Sequence, residues 1–137
     1  MAGQRTDDPI ASMQAWGVPD GGRVWVGGHN QGARRAVEAL LVNVTHPPEG
    51  PLDRAFITPQ TVDEATYFAG KIRVRLVPDG VIWIVVPQRF GAVDAGFSGT
   101  RDELQMAMFE RGFLDRRGAI IDETFRSIGF VVDSALF

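Results

Sequence analysis

The stretch Arg23–Val42, RVWVGGHNQGARRAVEALLV, constrains the fold more than any other part of the chain. Val24, Trp25 and Val26 are apolar without alternation, which predicts a short strand covered on both faces. Gly27 and Gly28 then let the backbone turn sharply and let a ligand approach closely. Over Gly32–Leu41, residues Ala33, Ala36, Val37, Leu40 and Leu41 fall at helical spacing and form the apolar stripe of a helix laid on a sheet. Arg34 and Glu38 lie off that stripe as an i, i+4 pair worth roughly a few tenths of a kcal/mol. In α/β domains ligands bind where such a strand ends and its helix begins. Gly27, Gly28, His29, Asn30 and Gln31 are therefore the first candidate site.

The rest of the chain alternates strands and helices. Residues 1–8 read as a disordered polar tail and residues 9–137 as one α/β domain. Asp8-Pro9 marks a helix start, with a short helix expected over Ile10–Trp16 and closed by Gly17. Residues 42–51 are a proline-rich connector with two or three residues of strand at most, around Val42–Val44. Leu52–Thr58 reads as a strand. Thr61-Val62-Asp63-Glu64 is a capping box opening a helix to about Val77. Pro78-Asp79-Gly80 predicts a turn, and Val81–Val86 (VIWIVV) the central strand. Gln88–Gly99 has no period and reads as a loop. Thr100–Glu103 opens a third helix, capped by Gly112. Leu114–Asp122 and Phe125–Val132 read as a hairpin around Glu123-Thr124. This order predicts a single three-layer α/β domain: a mostly parallel sheet of about five strands, with one antiparallel strand demanded by the terminal hairpin.

Composition narrows the chemistry. With 137 residues the chain is the size of one domain and buries roughly two thirds of its unfolded surface. It has no cysteine, which excludes thiolate nucleophiles, cysteine-bound metals and disulfides and fits a cytoplasmic protein. A net charge of −3 gives no attraction to nucleic acid or anionic membranes. No apolar run matches a signal peptide or a membrane span.

The order of elements, with Leu52-Asp53 leading one strand and Val77-Pro78-Asp79-Gly80-Val81-Ile82-Trp83-Ile84 leading the next, resembles a shortened methyltransferase-type Rossmann domain. More closely, the chain resembles a group of small bacterial proteins of uncharacterised function. Trp16-Gly17-Val18-Pro19-Asp20-Gly21-Gly22-Arg23-Val24, Pro78-Asp79-Gly80-Val81-Ile82-Trp83, Gly112-Phe113-Leu114-Asp115 and Ile121-Asp122-Glu123-Thr124 carry that resemblance, over residues 10–132. It implies a Rossmann-like fold and S-adenosylmethionine as the cofactor to consider. The sequence departs from that pattern in three ways. The glycine turn Val26–Gly32 lacks the family's acidic residue. The acidic residue that holds the ribose is missing, because about ten residues connect the first helix to Leu52 where the family fits two strands and a helix. Little chain remains for a substrate-binding insertion.

The candidate site residues all follow strands. His29 is a candidate general base, and Thr58 and Gln60 are ligand hydrogen-bonders at the end of the second strand. Gln88, Arg89 and Phe90 offer a cation and a ring after the central strand. Asp122 and Glu123 are a carboxylate pair at the hairpin tip, where turn chemistry alone also favours polar residues. His29 and His46 share no face with Asp122 or Glu123, so no metal site is expected. Trp16, Leu136 and Phe137 offer an apolar patch for a second copy or another protein. Two readings follow. The first is a methyltransferase-like module that binds a small ligand or a protein partner, itself included. The second is a small-molecule enzyme using the crevice beyond the first strand.

Overall fold

The computed structural model describes residues 8–89 and 96–133. In chain order the elements are β1 (Val24–Gly27), α1 (Gln31–Glu38), β2 (Leu52–Ile57), α2 (Val62–Ile72), a 3-10 turn (Arg73–Arg75), β3 (Leu76–Pro87), α3 (Arg101–Glu110), β4 (Phe113–Asp115), β5 (Ala119–Ile120) and β6 (Phe125–Val132). They build one six-stranded sheet in the order β1-β2-β3-β6-β4, with β5 also paired to β6. The pairings among β1, β2 and β3 are parallel, and all those of β6 are antiparallel. The sheet is thus half parallel, because the last helix is followed only by strands that fold back on one another.

The alternation of β3 explains its unbroken apolar sequence. Ile82, Ile84 and Val86 point into a core with Leu52, Ala65, Ala69, Leu104, Met108 and Ile128, beneath α2 and α3. Val81, Trp83 and Val85 point the other way, into a core with Trp16, Val24, Ala33, Val37 and Phe56. A strand buried on both faces needs apolar residues at every position. The second core is closed by α1 and by the segment around Trp16, whose ring meets Phe56 edge-on at 4.7 Å between centroids. Among the described residues no helix is long and apolar enough to cross a membrane.

Several local expectations change. The segment before β1 is a chain of turns rather than a helix, tied by Trp16 N–H to Ser12 O (2.9 Å) and Val18 N–H to Met13 O (2.9 Å). Helix α2 stops at Ile72 instead of about Val77, since Leu76 already pairs with Leu52. Arg54 next pairs with Val81, so 77–80 bulge out of the ladder and the predicted Pro-Asp-Gly turn sits inside β3. The strand expected over Leu114–Asp122 is broken into β4 and β5. Asp8, placed in the expected tail, is held by Arg126. In the proline-rich connector one bridge forms, Thr45 to Arg23.

Candidate functional site

The carboxyl ends of β1, β2 and β3 and the start of β6 lie at one end of the sheet. That places His29, Thr58, Gln60, Gln88, Arg89, Asp122 and Glu123 together at this end, and makes it the candidate site. Phe90, Leu136 and Phe137 lie outside the described residues.

The glycine turn closes tightly on β2. Gly27 O accepts from Thr58 N–H (2.8 Å) and from the Thr58 hydroxyl (3.3 Å), and Asn30 N–H donates to Thr58 O (3.0 Å). Gly28 has φ +137°, and a Cβ there would stand 2.2 Å from the Thr58 carbonyl oxygen. The freedom of Gly28 is therefore spent on strand-to-strand contact. Thr58 is fully buried. Asn30 is also buried and caps α1, its side-chain oxygen accepting from Ala33 N–H at 3.2 Å. Gly96 packs against the Asn30 amide, leaving 3.0 Å for a Cβ. Gln31 opens α1 and is exposed.

His29 has a partner that sequence reasoning missed. The Glu64 carboxylate accepts from His29 N–H (2.9 Å), from Gln60 N–H (2.6 Å), and pairs with His29 Nδ1. The Glu64 side chain is 10% exposed and that of His29 is 70% exposed. A largely buried carboxylate thus lies against an exposed imidazole, an arrangement that in enzymes can orient a histidine for proton transfer. In sequence Glu64 is the last residue of a capping box. In the structure only half of that box forms: Thr61 Oγ1 accepts from Glu64 N–H (3.0 Å), while the Glu64 side chain turns to the neighbouring loop. The Thr100–Glu103 box forms in full. The two motifs have the same local signature, so only the tertiary position separates them.

On the β3 side, Gln88 reaches across to the hairpin, with N–H to Thr124 O (2.7 Å) and Nε2 to Asp122 O (2.8 Å). Asp122 Oδ1 accepts from the N–H groups of Thr124 and Phe125, both at 2.8 Å. That is an Asx turn, and it accounts for Asp122 by local structure. Glu123 and Arg89 are exposed and make no ion pair among the described residues. His46 lies elsewhere, on a groove of about 440 Å³ along the outer side of β1 with Trp25, Val26, Arg34 and Arg75. Among the described residues no three acidic or histidine side chains gather in a way that would hold a metal ion.

No protein-family model matches the sequence, and no curated protein matches it. Solved structures do share the fold. A SAM-dependent methyltransferase from Aquifex aeolicus superposes with a TM-score of 0.57 at 11% identity, covering 88% of this chain and 87% of that one. The magnesium protoporphyrin IX methyltransferase from Synechocystis PCC 6803 with bound SAH gives 0.54 at 11% identity, covering 88% and 78%. The pyocyanin biosynthetic protein PhzM gives 0.54 at 12% identity, covering 82% of this chain and 50% of its own, so the chain spans about half the length of that relative. The fold is that of a methyltransferase-like Rossmann domain, shared at sequence identities that speak to architecture alone.

Proposed function

We propose that this methyltransferase-like domain works as a binding module for a protein partner and does not transfer methyl groups. The observation that carries this reading is the position of β1. In doubly wound domains the first strand is internal, with further strands on both sides, and the ligand lies across the point where strand order reverses. Among the described residues β1 is the outermost strand here, joined on the side away from β2 only by the Thr45 bridge. Among the described residues the strand that would carry a ribose-holding carboxylate is reduced to the Thr45 bridge, and Glu64, whose carboxylate bonds the glycine turn, is committed to His29 and Gln60. With Gly28 packed on Thr58 as well, these residues do not fit S-adenosylmethionine.

The same edge supplies the surface for a partner. Val24 N–H donates to Thr45 O at 2.9 Å. Strand alternation then leaves Val24 C=O and the polar groups of Val26 facing away from β2, along the groove lined by Trp25, Arg34 and His46. An extended segment of a partner protein would continue the sheet there. Calorimetric titration with S-adenosylmethionine and S-adenosylhomocysteine tests the reading. No heat and no thermal shift are expected; micromolar binding of either would overturn it.

The His29–Glu64 pair supports a second reading, a small-molecule enzyme with His29 as general base. In that case His29→Ala would lower turnover by about a hundredfold or more, whereas the first reading expects partner binding to survive the change.

A further inference from the structure

A second pocket lies away from the carboxyl-end residues, toward the amino ends of β2 and β3. It has a volume of about 240 Å³ and is walled by Pro9, Trp16, Gly17, Val81 and Trp83, with Arg54, Arg116 and Arg117 at its rim. The arginines define it. Arg54 is half-buried; its Nε donates to Trp16 O (2.9 Å) and its Nη1 to Asp53 O (2.6 Å). Its Nη2 makes no hydrogen bond among the described residues, and it occupies the place of a Gly17 side chain, 2.6 Å from where that Cβ would be. The Arg116 side chain is exposed and has neither hydrogen bond nor ion pair among the described residues. Arg117 stands 3.9 Å from Asp8.

The charges are only partly compensated. Burial, the largest influence, lowers the pKa of Arg54; Asp79 and Asp53 oppose that, and the like charge of Arg116 adds to it. Asp53 is engaged by Arg23 N–H (2.9 Å) and Asp8 by Arg126. Neither Asp53 nor Asp79 makes an ion pair with Arg54. Two guanidinium groups with donors to spare form an anion site, and Pro9, Gly17, Val81 and the small exposed part of Trp83 give it an apolar wall, the Trp16 ring behind them being 1% exposed. Size bounds the ligand: an enclosed cavity of about 150 Å³ holds benzene, so this solvent-open pocket of about 240 Å³ has room for one ring with a carboxylate attached.

We propose that the pocket binds a small aromatic carboxylate, its oxygens on Arg54 Nη2 and Arg116 and its ring over Pro9, Gly17 and the exposed part of Trp83. This site is independent of the partner-binding edge, and either assignment stands if the other fails. The surrounding indoles are tied together, Trp83 Nε1 donating to Trp16 O (3.1 Å) and Trp16 Nε1 to Ser127 Oγ (3.0 Å), so both indole N–H groups lie close enough to report on a bound ligand.

An NMR titration of the full chain with sodium benzoate, read on the three indole resonances, tests the proposal. Saturable shifts of Trp16 and Trp83, with Trp25 unmoved, are expected. Arg116→Gln, a change at an exposed side chain, should keep the melting temperature and weaken binding about tenfold, the loss of one charge-assisted bond. Arg35→Gln makes the same charge change away from the pocket and should leave binding unchanged. The proposal is overturned if benzoate gives no saturable shift, if inorganic phosphate binds as tightly as benzoate, or if Arg35→Gln weakens binding as much as Arg116→Gln.

Discussion

Replacing Glu64 by alanine isolates what joins the turn after β1 to the turn after β2. The carboxylate receives two backbone N–H groups, from His29 at 2.9 Å and Gln60 at 2.6 Å, and one imidazole nitrogen. Hydrogen bonds to a charged acceptor contribute about 1.5–3 kcal/mol each when buried. Both donors sit on residues that water reaches once the carboxylate is gone, so each bond falls below that range, to about 1 kcal/mol after rehydration. Glu64 also lies in the first turn of α2, where a negative charge adds roughly 0.3–1 kcal/mol. The total is about 2–3 kcal/mol. For a domain of this size, 1 kcal/mol moves Tm by about 4 °C, so Glu64→Ala should melt about 10 °C below the parent. The imidazole contact counts for little, because a 70% exposed ring is screened by solvent. His29→Ala should therefore cost under about 0.5 kcal/mol, and the double variant should show a coupling of no more than about 0.5 kcal/mol. Urea denaturation of the parent, both single variants and the double variant measures all four. Equal losses for His29→Ala and Glu64→Ala would refute the reasoning, since the ring and not the backbone would then be what Glu64 holds.

Gly28→Ala forces a side chain onto φ +137° and to 2.2 Å from Thr58 O; a loss above about 3 kcal/mol is expected in denaturant titration. Ile84→Ala removes a fully buried side chain from the middle of β3 and should cost about 3–4 kcal/mol with an unchanged m value. Val74→Asp, at a position 83% exposed beside α2, should move Tm by no more than about 2 °C.

The parts of the fold that were legible in the sequence are those where one local rule suffices. VIWIVV has to be a doubly covered strand because no position in it tolerates water, and the Thr100–Glu103 box starts a helix wherever it occurs. What could not be read depended on distant partners. Nothing local stops α2 at Ile72; it stops because Leu76 finds Leu52. Nothing local divides the strand after Phe113; β6 is long enough to pair with both β4 and β5. The candidate site followed the same division. That the residues after β1, β2 and β3 would gather at one end followed from strand direction alone, whereas Glu64 became visible only when the β1 turn was set beside α2.

The fastening of the early turns to the final hairpin orders events during synthesis. Ala11 N–H donates to Ile120 O, Ile120 N–H to Pro9 O, and the Trp16 indole to Ser127, across 111 positions of sequence. Residues made earlier already tie this segment to the sheet, since Trp16 O accepts from Arg54 Nε and Trp83 Nε1. Ala119 and Phe125, which complete the same core, come only with the last hairpin. A nascent chain halted before Ala119 would therefore leave part of an apolar sheet face uncovered, a surface for a chaperone.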